Sequence, residues 1–125
     1  MTKPQTPQTA PQVTTAYKVL TAEQMSALEH DGSFAGAPVD LADGYIHLST
    51  ATQLTETVDK HFAGQDDLHV AAIDLDALGN KIRWEESRGG QLFPHLYGTL
   101  TLDTVVAYSP LERLEDDTVR LPVTG

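Results

Sequence analysis

A histidine set among aromatic residues and a proline is the stretch of this chain best suited to chemistry, and it spans Phe93 to Gly98. Pro94 fixes its own φ angle and pushes the preceding residue towards an extended conformation, so the segment is stiff. A stiff segment can hold the His95 imidazole and the Tyr97 phenol in fixed directions. Two interpretations stay open: a binding site, or a loop that closes the edge of a core with His95 making one structural hydrogen bond.

A second candidate is the predicted strand from Tyr45 to Ser49. Alternate side chains of a strand point to opposite faces, so Ile46 and Leu48 are predicted to enter the core. The other face then carries Tyr45, His47 and Ser49, which offer an aromatic ring, an imidazole and a hydroxyl in one line. This face is typical of a pocket wall, and the alternative is that His47 faces solvent.

The residues after this strand predict the start of a helix. Thr50 and Gln53 have the spacing of a capping box, and the free N–H groups of a helix N-terminus attract anions. The strand and helix together predict a pocket for a carboxylate or phosphate. The simpler alternative is that Ser49 or Thr50 only caps the helix.

A third candidate is the predicted strand from Ile82 to Glu86. Its alternation assigns Arg83 and Glu85 to one face, where Arg83 can bind an anionic group and Glu85 can act as a base. Arg88, in the following Gly-rich loop, is a second candidate anion contact. The alternative for Arg83 and Glu85 is a solvated ion pair, which contributes little to stability.

The other histidines are less informative. His30 and His61 lie near predicted helix ends, where a cation suits the helix dipole, and the role of His69 is open. No pair of histidines has the spacing of a metal site, so we expect no metal. No nucleophile elbow, phosphate-binding loop or dinucleotide motif is present.

Composition limits the classes of protein that this chain can represent. Its 125 residues fit one domain, and it has no cysteine, which excludes disulfides and cysteine-ligated metals. The net charge of −10 disfavours nucleic acid and anionic membranes as partners. No apolar run is long enough to span a bilayer and no secretory pattern is present, so we expect a cytoplasmic protein. We also expect a monomer or a weak dimer.

The order of predicted elements indicates an α+β fold with a mostly antiparallel sheet. Residues 1–14 are rich in Pro, Gln and Thr and predict a disordered tail, and residues 15–125 predict a single domain. Residues 32–43 predict a loop. The predicted helices cover 21–32 and 50–63, and the predicted strands cover 16–20, 44–48, 68–75, 82–86, 100–108 and 118–121.

Taken in order, these segments resemble the family labelled domain of unknown function 952, over about Tyr17 to Pro122. The two most specific segments are Asp43 to Ser49 and Phe93 to Gly98. That family in turn resembles the ADP-ribosyltransferase-like superfamily. The resemblance implies a split, mostly antiparallel two-sheet core with two early helices, and a cleft that holds NAD in active relatives.

The resemblance also implies roles for residues. Lys18 stands where a polar residue of the first strand is expected, and the segment around His47 is similar to a strand of the NAD-consuming RNA 2′-phosphotransferases. The late segment carries His95 where relatives often carry a glutamate, so Glu85 or Glu86 would have to supply the carboxylate. The missing glutamate favours an alternative in which the cleft binds a ligand without chemistry.

The leading hypothesis is therefore an enzyme that binds NAD, or a related ADP-ribosyl compound, as co-substrate. Its candidate catalytic residues are His47, His95 and Glu85. The candidate residues for binding the ligand are Lys18, Tyr45, Ser49, Thr50, Gln53, Arg83, Arg88, Phe93 and Tyr97. The alternatives are a non-catalytic module that binds a nucleotide or other small anion, and a structural domain in which these residues brace loops.

Overall fold

Antiparallel strands dominate the computed structural model, which describes residues 13–123. The strands are β1 (Thr15–Thr21), β2 (Ser33–Phe34), β3 (Ile46–His47), β4 (Leu68–Asp74), β5 (Ile82–Glu86), β6 (Leu92–Leu96), β7 (Leu100–Thr101) and β8 (Val105–Pro110). The α-helices are α1 (Ala22–Asp31), α2 (Pro38–Asp43), α3 (Leu54–His61) and α4 (Leu75–Leu78). Short 3-10 turns cover Gly79–Lys81, Arg88–Gly90 and Leu102–Thr104.

The strands form a first sheet in the order β1-β4-β8, a second in the order β3-β6-β5, and a two-stranded pair of β2 with β7. All pairings are antiparallel. The α+β class predicted from the sequence is confirmed, but the predicted two-sheet core is incomplete because β2 and β7 make a third, smaller sheet.

A single backbone bridge links the two larger sheets. Tyr17 and Ser49 exchange backbone hydrogen bonds of 2.7 and 2.9 Å, which join β1 to the chain just after β3. Residues of β1 and of the second sheet line the cleft described below.

The main core lies between the first sheet, the second sheet and α1. Its buried members include Leu20 from β1, Met25 and Leu28 from α1, and Leu96 from β6. A second cluster packs α3 against the opposite face of the first sheet. The first sheet is therefore covered on both faces, which explains the nearly continuous apolar run of β4.

Local predictions for the helices are confirmed in several places. Thr21 and Gln24 form the predicted capping box at the start of α1, and Gly32 ends that helix with a φ of 77°. Leu54 and Val58 are buried on one face of α3. The predicted start of this helix is wrong, because it begins at Leu54 after a turn over 51–53, although Gln53 still accepts the Thr50 N–H at 3.0 Å.

Two further predicted segments differ from the structure. The predicted loop over 32–43 contains β2 and α2, because Pro38 starts a short helix and Asp40 accepts the Ala37 N–H that the helix leaves free. The predicted strand over 100–108 is interrupted at Leu102–Thr104, where Thr104 Oγ1 donates to the Thr101 carbonyl. These two halves therefore join different sheets.

The predicted strands over 44–48 and 118–121 also differ from the structure. Regular pairing in the segment 44–48 is limited to Ile46–His47, because Gly44 ends α2 in a left-handed conformation. The predicted strand over 118–121 is wrong, since only a single bridge pairs Val119 with Arg113.

The structure describes only the last two residues of the predicted tail over 1–14. Within the predicted tail, residues 1–12 lie outside the described residues, while the Thr14 carbonyl accepts the N–H of Leu75 at 2.9 Å. Between residues 13 and 123, no helix is long and apolar enough to cross a membrane.

Candidate functional site

One face of the second sheet carries most of the side chains that the sequence singles out. The strand register pairs His47 with His95 and His95 with Arg83, so these three share a row across β3, β6 and β5. Tyr45, Glu85, Phe93 and Tyr97 follow by the alternation of the strands. The opposite face carries Ile46, Leu48, Ile82, Trp84 and Leu96, which pack in the main core.

The aromatic rings on this face form a contiguous cluster. The Tyr45 ring stacks on His95 with centroids 4.1 Å apart, and it lies 4.7 Å from His47 and 5.2 Å from Tyr97. The two imidazoles lie 5.5 Å apart, edge to face. The sequence could not give these distances, and the structure brings His47 and His95 to one site.

A pocket of about 630 Å³ opens beside this cluster, in the cleft between the two sheets. Its volume falls in the range of small-molecule sites, about 300–1,000 Å³. Of the predicted site residues, it is lined by Lys18, Tyr45, His47, Ser49, Phe93 and His95. Other lining residues, which the sequence analysis did not single out, include Tyr17, Thr21, Gln24, Asp43, Thr57, His61 and Phe62.

The remaining predicted residues lie elsewhere. Thr50 and Gln53 line a second, smaller depression of about 410 Å³, where the Gln53 amide donates to the Leu92 carbonyl at 2.8 Å. The Arg83 guanidinium lies over the Tyr97 ring, 4.5 Å from its centroid. The backbone of Arg88 lies in a 3-10 turn, and the placement of its side chain is outside the described part of the structure.

Asp40 is one of the residues of this site that the sequence patterns did not indicate. It is 2% exposed, and its carboxylate accepts four hydrogen bonds. Oδ2 accepts from Lys18 Nζ at 3.0 Å and from the Ala37 N–H at 2.8 Å, while Oδ1 accepts from the His47 N–H at 3.1 Å and from its Nδ1 at 2.6 Å. Asp40 therefore ties β1, α2 and β3 together behind the pocket.

The ionisation of Lys18 and Asp40 follows from this network. Burial alone would raise the pKa of Asp40, but the hydrogen bond from His47 and the charge of Lys18 hold it at about 2, below its ordinary 3.8. Burial lowers the pKa of Lys18, against the opposing pull of Asp40. The Lys18 ammonium, which the sequence predicts as a ligand contact, therefore forms a buried ion pair with Asp40 at 3.0 Å.

The folded-state pKa of Asp40 predicts an acid-dependent loss of stability. Because it lies below the unfolded value, Asp40 stabilises the fold fully above about pH 4, and this contribution disappears as the pH falls towards 2. The difference of nearly two units corresponds to about 2 kcal/mol. Urea unfolding between pH 2.5 and 6 should show this slope in the wild type, and a much shallower one in Asp40→Asn. Equal slopes in the two proteins would contradict it.

Gly36 is a glycine because Asp40 lies against it. Its φ angle is +132°, and an added Cβ would lie 2.9 Å from the Cβ of Asp40. We therefore expect Gly36→Ala to lower the free energy of unfolding by about 2–4 kcal/mol, from backbone strain and from displacement of Asp40. At Gly32 nothing lies within 4 Å of an added Cβ, so Gly32→Ala should cost only about 1 kcal/mol. Chemical denaturation of both variants tests the difference, and equal losses would contradict it.

His95 and Glu85 form the second ion-paired unit of the site. Nδ1 of His95 lies 2.7 Å from Glu85 Oε1, which also accepts from the Tyr97 hydroxyl at 2.8 Å. Burial lowers the pKa of His95, against the pull of Glu85, and the hydrogen bond from His95 lowers the pKa of Glu85. A neutral His95 that donates from Nδ1 to Glu85 carries its lone pair on Nε2, as a general base requires.

Glu85 itself does not line the pocket. Its side chain is 38% exposed and lies behind His95, where it orients the ring and accepts from Tyr97. Among the described residues, the acidic side chain that lines the pocket is Asp43, whose Oδ2 lies 3.0 Å from Nε2 of His47. Across residues 13–123, no group of three or more acidic or histidine side chains is placed to hold a metal ion.

Sequence signals for the missed residues were present but weak. Asp40 and Asp43 stand in a segment rich in Gly, Ala and Pro, where carboxylates are usually solvated. A proline followed two residues later by an aspartate is compatible with a short helix, yet six residues are too few to show periodicity. Their contacts with Lys18 and His47 are visible only in three dimensions.

Known structures of similar proteins share this fold. The crystal structure of protein CC0527 from Caulobacter crescentus is 42% identical, with a TM-score of 0.79 over 86% of this chain and 95% of that one. A double mutant of that protein gives 40% identity and a TM-score of 0.78 over the same shares. Its solution NMR structure gives 41% and 0.74 over 87% and 94%.

No curated protein matches the chain. A family model described as "Protein of unknown function (DUF952)" matches residues 19–108, which include His47, His95, Asp40 and the whole second sheet. The resemblance predicted from the segments around His47 and His95 is thereby confirmed at the level of the family. The chain belongs to the DUF952 family.

Proposed function

We propose that the cleft binds NAD or a related ADP-ribosyl compound, and that the protein transfers the ADP-ribosyl group to an acceptor. The observation that carries this proposal is the pairing of His47 with His95 beside a pocket of about 630 Å³, each imidazole fixed by a carboxylate. Two oriented imidazoles beside a nucleotide-sized cavity suit acid–base chemistry. The proposed likeness to the ADP-ribosyltransferase-like superfamily rests on the segment around His47 and on the split between the two large sheets.

The pocket offers distinct surfaces to the parts of such a ligand. The aromatic rings of Tyr17 and Phe93 line it and supply faces on which a nicotinamide or adenine ring can stack. His47 offers its ring to a ribose hydroxyl or a phosphate, and the Ser49 hydroxyl, 2.8 Å from that of Thr57, adds polar contact. Arg83 lies on the neighbouring strand, over Tyr97 and outside the pocket lining, so it can meet only a phosphate of a ligand that extends beyond the pocket.

The proposed reaction exchanges one bond at the ribose for another. The bond from C1′ to the nicotinamide nitrogen breaks, and its electron pair leaves with nicotinamide. The acceptor oxygen forms a bond to C1′, and its proton passes to Nε2 of His95. Glu85 holds the opposite nitrogen of His95 at 2.7 Å and stabilises the imidazolium that results.

A non-catalytic binding module is the second candidate, and one observation favours it. Transferases of this kind place a carboxylate where positive charge develops on the ribose, whereas Glu85 is turned to His95 and Tyr97. Within the described residues, Asp43 is the carboxylate that reaches the pocket. On this alternative the cleft binds a nucleotide and leaves it unchanged.

Incubation of the full-length protein with NAD separates these two candidates. With water as the acceptor, chromatography of the mixture should show nicotinamide and ADP-ribose released at a rate proportional to protein concentration, and calorimetry of the same sample should show saturable binding. Binding without nicotinamide would favour the binding module, and the absence of both would contradict the proposal as a whole.

A further inference from the structure

The His47 ring lies between two carboxylates, one buried and one partly exposed. Nδ1 is 2.6 Å from Asp40 Oδ1, and Nε2 is 3.0 Å from Asp43 Oδ2. A carboxylate oxygen at 3.0 Å is favourable only where the nitrogen carries a proton, since two lone pairs would otherwise oppose each other. Each ring nitrogen of His47 thus faces a carboxylate oxygen at hydrogen-bond distance, and a ring with a proton on both nitrogens would donate to an anion at each end.

Asp40 is fixed, whereas Asp43 is not. The Asp40 side chain is 1% exposed and its oxygens accept from Lys18, Ala37 and His47. The Asp43 side chain is 45% exposed and lines the pocket. It is the last residue of α2, and Gly44 follows it with a φ of 89°, so its side chain can leave without disturbing a core.

The charges of the cluster balance only while Asp43 is in place. With a proton on both nitrogens of His47, Lys18 and His47 carry two positive charges, and Asp40 and Asp43 carry two negative ones. Withdrawal of Asp43 leaves one uncompensated positive charge, at Nε2 of His47, directed at the pocket. An anionic oxygen on a ligand would restore the balance in the same position.

We infer that Nε2 of His47 is a binding point for a phosphate oxygen of the ligand, and that Asp43 occupies this point in the free protein and yields to the ligand. The inference rests on the proposed function, because the same pocket holds the ligand. Asp43 thus competes with the ligand and weakens its binding. It also discriminates against uncharged ligands, which have no oxygen to take its place.

The test is a titration of the full-length protein with inorganic pyrophosphate at constant ionic strength, followed by the ¹⁵N and ¹H resonances of the histidine rings. Asp43→Asn should bind pyrophosphate about tenfold more tightly than the wild type, because the competing charge is gone. Asp76→Asn is the matched control. It removes the same charge from α4, a helix that contributes no residue to the described pocket lining, and should bind as the wild type does.

A second variant locates the binding point. In Asp43→Asn the ring resonances of His47 should move most on titration, and adding His47→Gln should remove the tenfold gain. An equal affinity in Asp43→Asn and Asp76→Asn would overturn the inference. Shifts confined to residues outside the pocket would overturn it as well.

Comparing pyrophosphate binding with NAD binding separates a failure of this inference from a failure of the proposed function. NAD binding that is unchanged by Asp43→Asn, together with no gain for pyrophosphate, would overturn this inference and leave NAD as the ligand. A tenfold gain for pyrophosphate without any NAD binding would support the phosphate point at His47 and remove NAD.

Discussion

Replacing Asp40 with alanine is expected to destabilise the protein more than any other single change at the site. Lys18 is 6% exposed, and the partner that the structure records for its ammonium is Asp40. Loss of one partner of a buried ion pair typically costs about 3–5 kcal/mol, because the other charge stays buried and uncompensated. For a chain of this size we expect the melting temperature to fall by about 10–20 °C in differential scanning calorimetry.

The opposite change, Lys18→Met, is the informative comparison. It leaves Asp40 with the hydrogen bonds from Ala37 and His47, so the remaining carboxylate is still satisfied. We expect a loss of only about 1–2 kcal/mol. A larger loss for Lys18→Met than for Asp40→Ala would show that Asp40 is not the centre of the network.

The largest functional effect is expected for His95→Gln. Loss of a general acid or base typically lowers the rate about 10²–10⁴-fold, and the Nε2 lone pair of His95 is the base in the proposed transfer. Glutamine retains an amide that can still donate to Glu85, so the fold should be preserved. Nicotinamide release from NAD, measured under saturating conditions, should fall by this factor while NAD still binds.

The control for this variant is His30→Gln. The His30 side chain is 88% exposed and pairs with Asp31 at the end of α1, away from the pocket lining. Its rate should equal that of the wild type. Full turnover in His95→Gln would exclude His95 as the base, and an equal loss in His30→Gln would show that the assay does not report on the site.

The face of the sheet on which a side chain lies could be predicted wherever apolar and polar residues alternate along a strand. In the segments around His47 and Glu85, apolar and polar residues alternate, so the face of each side chain follows from its position. The partition of Ile46 and Trp84 into the core, and of His47 and Arg83 onto the opposite face, was therefore predictable. The structure adds the register, which sets His47 beside His95.

The contacts of Asp40 could not be predicted in this way. Lys18 is 22 residues from Asp40 along the chain, and nothing in the spacing of the two indicates that they meet. The sequence therefore assigned Lys18 to the ligand, whereas the structure places its ammonium on Asp40. The position of Glu85 could not be predicted for a similar reason. Only the pairing of β5 with β6 shows that its carboxylate lies behind His95 rather than in the pocket.

The break in the predicted strand over 100–108 has a local cause that sequence patterns do not show. Most residues from Leu100 to Tyr108 favour a strand, although Asp103 does not, so propensity still favours one continuous element. The hydrogen bond from Thr104 to the Thr101 carbonyl closes a 3-10 turn instead. Leu100 then pairs with Phe34 in the small sheet, and Val105 continues into the first sheet.

A two-dimensional ¹H–¹⁵N NMR titration of the full-length protein with NAD tests whether the cleft beside His47 and His95 is a nucleotide site. We expect saturable shifts concentrated at residues 45–49 and 93–97 and at Asp43, with little change along the exposed edge of β8. No shifts at millimolar NAD, or shifts confined to surfaces outside the cleft, would contradict it.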